Sequence, residues 1–256
     1  MSAGKTTLDP QLFGASPTRD ARFTVKDKWI EMFNVPEDHP ERELEFFHRQ
    51  MNEELNSVEN AAQNLADFPD ADWDVRMWIA RQCYDEARHL QMFRRIFESR
   101  GGTVGQYPVL NFQYRIISKI PTLMGRLAVQ NRSFEAGGID AVKVATEEAR
   151  QKGDWELAEL YESQGADEIV HVRFANEWIK ETIHKTPRAA MDMARALTVG
   201  SQAFEQVMGV AGTVDVDYLA DVEGRREAGF DDSEVQRVLS DTEIRRQQNL
   251  AIKAGQ

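Results

Sequence analysis

Apolar residues recur every three or four positions along most of the chain, which is the pattern of helices that turn one face toward a core. Four long segments of this kind have clear ends. Pro40 suits a first helical turn, and Pro121 opens the third segment. Gly101 and Gly102 stop the second segment, and Asp154 is a good N-cap for the fourth. The predicted long helices cover residues 40–66, 74–100, 121–152 and 154–184.

Shorter elements flank these helices. The pattern predicts a short helix over residues 25–33, another between residue 102 and Pro121, a helix over 187–208 and a last amphipathic helix over 232–252. Gly137 and Gly138 are expected to loosen the third long helix midway. The stretch from Gly209 to Asp232 looks irregular and is a candidate cover for a site. Because strand signals are scarce, the predicted fold class is all-α, a bundle of four long helices.

Composition divides the chain into three parts. Residues 1–24 are polar and are expected to form a mobile or draped arm. Residues 25–184 hold the predicted bundle. Residues 185–256 are expected to form a C-terminal helical extension that packs on the bundle.

Size, cysteine content and charge limit the class of protein and its partners. The chain has 256 residues, enough to bury a substantial core, and one cysteine, Cys83, which fits a cytoplasmic protein without disulfides. The start lacks the apolar run of a signal peptide, and no stretch approaches the roughly 20 apolar residues of a membrane span. Without such a span, no membrane partner is expected. The net charge of -12 is spread along the chain, which disfavours nucleic acid as a partner.

Acids and histidines interrupt the apolar faces of two long helices, where solvated charge does not belong. Glu86 and His89 lie in the middle of one face, and Glu168 and His171 in the middle of the other. Both pairs are therefore expected to point inward. The two faces are Val75, Ile79, Gln82, Glu86, His89, Phe93 and Ile96, and Leu157, Tyr161, Gln164, Glu168, His171, Ala175 and Trp178.

The other two long helices each turn one acid inward. Glu54 shares a face with Met51 and Ala61, and Glu135 shares one with Ala128 and Asn131. Four unpaired buried carboxylates would be severely unfavourable. Two divalent cations would balance their charge, and two neutral imidazoles would add nitrogen ligands. The alternative is a solvated helix face with incidental charges.

Two pentapeptides, DEARH (Asp85–His89) and DEIVH (Asp167–His171), repeat one arrangement 82 residues apart. Each places a glutamate three residues before a histidine, with an aspartate ahead. The inward acid of the preceding helix lies 32 residues before the first glutamate and 33 before the second, so the chain looks like a duplicated helix hairpin. A zinc hydrolase would need histidines where the aspartates stand, so iron or manganese suits these ligand types better.

The order of these acids and histidines resembles that of the ferritin-like di-iron carboxylate proteins. Over about residues 40–184, the four long helices carry in turn Glu, E-x-x-H, Glu and E-x-x-H. The resemblance implies a ferritin-like four-helix bundle with additional N- and C-terminal helices. It makes Glu86 and Glu168 bridging ligands, and it makes Asp85 and Asp167 the hydrogen-bond partners of the ring N–H of ligand histidines. The implied metal ligands are Glu54, Glu86, His89, Glu135, Glu168 and His171.

Four stretches, ELNSVENA, DEARH, FEAGGID and DEIVH, look most like a poorly characterised bacterial ferritin-like group related to the tRNA hydroxylase branch. Members often read EARG where this chain reads EAGG. Gly137 is therefore a departure that puts the role of that arginine in doubt, although the ligand Glu135 remains. Nothing after about residue 185 matches a motif of the group.

The resemblance implies an O2-activating non-haem di-iron oxidase or oxygenase that acts on a small organic metabolite. Hydroxylation, N-oxygenation, desaturation and oxidative cleavage all remain open. Two iron ions are the expected cofactors, with manganese or a mixed Fe/Mn pair as alternatives, and O2 is the expected co-substrate. An external electron donor is expected, and a homodimer is allowed. The rival functions are a ferroxidase or iron-handling protein, a tRNA-modifying hydroxylase, and a purely structural bundle.

A few other residues are weaker candidates. Tyr161 is a candidate catalytic residue, as a redox or hydrogen-bonding tyrosine near the metals, with core packing as the alternative. Glu59 lies off the best face and is interpreted as a surface acid or one that only approaches the cluster. Cys83 is expected to be a buried, inert thiol. The remaining histidines, His39, His48 and His184, need no functional role.

Overall fold

The computed structural model describes residues 8–36, 38–209 and 220–254, and this part of the chain is mostly helical, which confirms the all-α class. Two short strands, β1 (Val25–Lys26) and β2 (Val109–Leu110), pair in parallel. The helices are α1 (Arg42–Asp67), α2 (Trp73–Ser99), α3 (Phe112–Lys119), α4 (Leu123–Val129), α5 (Ala136–Gln151), α6 (Trp155–Lys185), α7 (Ala189–Met208), α8 (Val222–Glu227) and α9 (Asp232–Ala254).

The ends of the long helices follow the predicted signals. Gly101, with a φ of 91°, follows α2, and Gly153, with a φ of 73°, separates α5 from α6. Only glycine adopts this left-handed region without strain, so each position stops a helix. Asp154 caps α6, because its side chain accepts a hydrogen bond from the backbone N–H of Leu157 at 3.3 Å.

The predicted helix over residues 25–33 is wrong. Strand β1 occupies its start, and only one 3-10 turn, Trp29–Glu31, follows. The Glu31 carboxylate accepts hydrogen bonds from the backbone N–H groups of Asp27 and Lys28, which stabilises a turn instead of a continuous helix. The pairing partner of β1 lies more than 80 residues later, where periodicity within the segment cannot indicate it.

The third predicted helix is interrupted, but not at its glycines. Gly137 and Gly138 lie within regular α5, whereas a π-helix, Gln130–Glu135, joins α4 to α5. A π-helix widens the turn and changes which side chains share a face. Here the side chains of Gln130 and Asn131 both donate hydrogen bonds to the Glu135 carboxylate inside the fold. The wider turn therefore accommodates three inward polar side chains.

Two helix pairs form the centre of the fold. Helix α1 packs along α2, helix α5 packs along α6, and α2 and α6 join the two pairs. The short connection of residues 68–72 makes α1 and α2 antiparallel neighbours. Helix α7 packs mainly on α3 and α4, whereas α8 lies against α5 and α6 of the central pairs and also contacts α9.

The predicted inward faces are buried. All seven face residues of α2 are at most 3% exposed, and six of the seven on α6 are at most 8% exposed, with Trp178 half-buried. The 3.6-residue period therefore gave the correct rotation of both helices. Helix α9 is less amphipathic than expected, because Val235 near its start is buried while Ile244 is 53% exposed.

The described part of the N-terminal arm lies against the helices. Leu8 and Phe13 are buried, and the guanidinium of Arg19 donates two hydrogen bonds to the Glu59 carboxylate, at 2.7 and 2.8 Å. The arm is thus draped, as one of the two expectations had it. The predicted irregular cover over 209–232 lies partly outside the described residues, and its described end contains α8. None of the helices within the described ranges combines the length and apolar character needed to cross a membrane.

Candidate metal centre

All six predicted ligand residues lie inside the central helix pairs. Each is at most 8% exposed. Helices α2 and α6 contribute one glutamate and one histidine each, three positions apart and therefore on the same face. Helix α1 contributes one glutamate from its middle, and the end of the π-helix contributes the fourth. The residues are Glu54, Glu86, His89, Glu135, Glu168 and His171.

The six residues form two overlapping groups. Glu54, Glu86, His89 and Glu168 place one ligand atom each within 4.8 Å of one another, and so do Glu86, Glu135, Glu168 and His171. Glu86 and Glu168 belong to both groups, which is the position predicted for bridging ligands. This buried cluster could hold a metal ion.

Both histidines turn Nδ1 toward the acids. His89 Nδ1 lies 3.2 Å from Glu86 Oε2 and 3.6 Å from Glu54 Oε2. His171 Nδ1 lies 3.4 Å from Glu86 Oε1 and 3.8 Å from Glu168 Oε2. The two imidazoles therefore face the cluster from opposite helices, with Nε2 of each pointing away.

The aspartates of the two pentapeptides hold those outward nitrogens, and they do so crosswise. His89 Nε2 lies 3.1 Å from Asp167 Oδ2, and His171 Nε2 lies 3.2 Å from Asp85 Oδ2. Each aspartate thus serves the histidine of the other helix. An acceptor at Nε2 keeps the proton on that nitrogen and leaves Nδ1 free to bind a cation.

Arginines fix the two aspartates. Arg88 donates a hydrogen bond to Asp167 and another to Ser163 Oγ at 3.0 Å, and Arg81 Nε lies 3.3 Å from Asp85 Oδ2. Burial raises the pKa of Asp167, but its hydrogen bond to His89 and the charge of Arg88 outweigh burial and lower the pKa overall. Sequence reasoning gave these arginines no role, although Arg88 stands inside DEARH.

Side-chain amides hold Glu135, one of the two glutamates that belong to only one group of ligands. The sequence analysis did not predict this either. Glu135 Oε1 accepts from Gln82 Nε2 at 2.5 Å and from Gln130 Nε2 at 3.1 Å, and its Oε2 accepts from Asn131 Nδ2 at 2.9 Å. All these side chains are buried. The available signal was their position: Gln82 and Asn131 share faces with the predicted ligands, where apolar residues belong.

The buried acids and histidines of the cluster shift one another's pKa values. Burial, followed by the nearby charge of Glu86, raises the pKa of Glu135 well above its ordinary value. Burial lowers the pKa of His89, but hydrogen bonds to Asp167, Glu54 and Glu86 raise it overall to about 12. Without a cation, these groups must share protons to limit their mutual repulsion. A divalent cation would replace those protons.

Two atoms of the cluster test its fit to a metal. His171 Nδ1 and Glu168 Oε2 are buried and make no hydrogen bond within the described part of the chain. Buried polar atoms are rarely left without a partner. An imidazole nitrogen and a carboxylate oxygen are both common ligands of iron and manganese, so the residues present fit a metal.

The weaker candidates lie around the cluster. Tyr161 is buried against Phe93, with ring centroids 6.3 Å apart, and its direct role stays a prediction. Glu59 binds Arg19 and belongs to neither group of ligands. Cys83 is half-buried, with Sγ 3.6 Å from the backbone oxygen of Val58, and burial raises the pKa of its thiol, consistent with a thiol of low reactivity.

A cavity of about 590 Å³ reaches the cluster from the side of α1, α5 and α7. Its lining includes Glu54, Glu135 and Glu168, so three of the six predicted ligands face it. Its apolar wall includes Phe93, Phe112, Phe134 and Phe204. Its volume falls within the range of about 300–1,000 Å³ that is usual for pockets of small organic ligands.

These observations define a helical protein with a buried carboxylate and histidine cluster that could hold a metal ion, beside a largely apolar cavity. Residues 3–236 match a family model described as "Protein of unknown function (DUF455)", and the chain belongs to that family. No curated protein and no solved structure matches the chain.

Proposed function

We propose that the chain is an O2-activating non-haem di-iron oxidoreductase of the ferritin-like class, acting on a small organic molecule. One observation carries the proposal: Glu54, Glu135 and Glu168 belong both to the buried ligand cluster and to the lining of the cavity. A substrate in the cavity would therefore lie beside the metals.

The ligand set supports two metal positions. One metal would be held by Glu54 and His89 and the other by Glu135 and His171, with Glu86 and Glu168, which belong to both groups, available to both. Two divalent cations balance the charge of four carboxylates. Mixed carboxylate and imidazole donors suit iron, and the same donors accept manganese or a mixed pair.

The side chains of the site would prepare the chemistry. Asp85 and Asp167 keep both histidines in the tautomer that binds through Nδ1. Glu86 and Glu168 would help to hold both metals, and the two oxygens of each carboxylate would let them continue to do so as the charge of the site changes. Two ferrous ions would supply electrons for O2 activation, with an external donor restoring them. Hydroxylation, N-oxygenation, desaturation and oxidative cleavage are all compatible with these residues.

Iron handling is the rival function, because the same cluster could oxidise Fe(II) for storage. The cavity favours the enzyme, since a storage protein has no need of a pocket walled by phenylalanines next to its metals. A tRNA substrate is disfavoured by the net charge of -12.

Anaerobic loading with Fe(II), followed by addition of O2, tests the proposal. We expect two irons per chain by elemental analysis, and Mössbauer spectra in which both are oxidised at a rate that changes when candidate metabolites are present. Oxidation of many irons per chain, independent of any metabolite, would identify an iron-handling protein instead. Protein that retains neither iron nor manganese after careful reconstitution would refute the proposal.

A further inference from the structure

We infer that the two metal positions are unequal, and that side-chain amides make the Glu135 position the weaker one. This inference rests on the proposed function, because it concerns the same two metals. It depends on how many oxygen lone pairs Glu54 and Glu135 have left for a cation after their hydrogen bonds to protein are counted.

Glu135 has few lone pairs left. A carboxylate offers about four acceptor sites, two on each oxygen. Gln82 and Gln130 both donate to Oε1, at 2.5 and 3.1 Å, and Asn131 donates to Oε2 at 2.9 Å. One site on Oε2 remains, so Glu135 can bind a cation through one oxygen only.

Glu54 is much freer. Its one amide donor in the described residues is Gln164, whose Nε2 lies 2.9 Å from Oε1. Oε2 accepts from no amide and faces His89 Nδ1 at 3.6 Å. Glu54 therefore has lone pairs on both oxygens and can chelate a cation. The Glu54 position gains one more protein oxygen than the Glu135 position.

When these glutamates are ionised, as a bound cation would require, each can accept only from the NH2 group of an amide. The amide oxygens of Gln130 and Gln164 consequently point elsewhere, and both are buried with no hydrogen-bond partner among the described residues. Within the part of the chain that the structure describes, each of these two glutamines thus makes a single side-chain hydrogen bond, to one ligand carboxylate. Their matching environments make them a natural test pair.

The π-helix is the structural source of the difference. It places Gln130, Asn131 and Glu135 within one turn and a half, so two amides reach the carboxylate from its own element. Helix α1 around Glu54 is regular and supplies no such donor. A cation at the Glu135 position would therefore have more of its coordination left for water or for a substrate in the cavity.

Stepwise loading with Mn(II) tests the inference on the full chain without O2. We expect the first Mn(II) to bind at least about tenfold more tightly than the second, a difference of about 1.4 kcal/mol. Electron paramagnetic resonance at one Mn(II) per chain should then show mostly isolated ions, and coupled pairs should appear with the second. Glu135→Gln should keep the tight first ion, whereas Glu54→Gln should lose it.

The matched variants are Gln130→Met and Gln164→Met. Both remove one amide from a ligand and one unpartnered oxygen, with little change of volume, so the fold is expected to tolerate them. Gln130→Met should tighten the second ion and narrow the difference. Gln164→Met should leave the second ion unchanged.

Several results would overturn the inference: equal affinities in the wild-type protein, loss of the tight ion in Glu135→Gln, or the same effect from both methionine variants. Each can occur while O2 chemistry is still observed, so the proposed function would survive. A protein that loads two unequal Mn(II) ions but shows no O2 chemistry would refute the proposed function and keep the inference.

Discussion

Glu86→Gln is the change that tests the shared cluster most directly. Glu86 belongs to both groups of ligands, and its two oxygens approach Nδ1 of different histidines, at 3.2 and 3.4 Å. Glutamine keeps the size of the side chain and removes its negative charge. Both metal positions should therefore weaken together, which no change at a terminal ligand can produce.

The size of the effect follows from linkage between binding and folding. A cation present at about 100 times its dissociation constant stabilises the folded state by about 2.7 kcal/mol, so two sites contribute about 5 kcal/mol. In a chain of this length, about 1 kcal/mol changes the Tm by about 2–4 °C. Metal should raise the Tm of the wild-type protein by about 10–20 °C, and that of Glu86→Gln by only a few degrees.

The assay is thermal unfolding of each variant, first stripped with a chelator and then reloaded, with metal content measured on the same samples. Comparing each variant with its own stripped form removes the effect of the substitution on the empty protein. Glu53→Gln is the matched control, because Glu53 lies next to Glu54 on α1 but outside both groups of ligands. Metal should raise the Tm of this variant by as much as it raises that of the wild-type protein. A full rise in Glu86→Gln, with two metals bound, would refute the reasoning.

Three further perturbations test other parts of the structure. Burial lowers the pKa of His48 from 6.5 to about 4. At pH values between these two pKa values, the unfolded chain binds more protons at His48 than the folded chain does. The free energy of unfolding therefore falls by up to about 3 kcal/mol as the pH is lowered from about 6.5 to about 4. Urea unfolding across this pH range should show a smaller decrease for His48→Gln. Gly137→Ala should raise the free energy of unfolding by roughly 0.5–1 kcal/mol, because alanine favours the helix more than glycine does and its Cβ would meet no atom within 4 Å. A lower Tm would contradict this. Arg19→Met should lower that free energy by roughly 1–3 kcal/mol, because it leaves Glu59 without its partner, and unchanged urea curves would show that the Arg19–Glu59 ion pair does not stabilise the fold.

Periodicity was sufficient for the parts of the site that lie on single helices. Glu86, His89, Glu168 and His171 are buried where the apolar stripe predicted, because residues three and four apart share a helix face whatever the rest of the fold does. Because an unpaired carboxylate is costly to bury, the inward direction of these acids predicted a metal site. Glu54 and Glu135 followed by the same reasoning.

Contacts between different elements could not be predicted from the sequence pattern. The crossed pairing of Asp85 and Asp167 depends on how α2 and α6 face each other, which neither helix encodes alone. The two-residue strands are too short to show alternation, and their pairing is distant in sequence. Gly137 and Gly138 were expected to disturb the third helix because glycine lowers helix propensity, yet the π-helix formed ahead of them, where inward amides hydrogen-bond to Glu135.

The similar spacing of the two helix hairpins makes the ligand set nearly symmetric, but the hydrogen bonds around it are not. Each hairpin supplies one inward glutamate and one Glu and His pair, and each histidine needs the aspartate of the other hairpin, so neither half can complete a site alone. The symmetry ends at the two unshared glutamates, because one follows a π-helix rich in amides and the other lies on a regular helix. Two metals held by these residues, as proposed, would share Glu86 and Glu168 and still differ in how firmly each is bound. Such a difference would let one ion stay fixed while the other exchanges water for a substrate from the cavity.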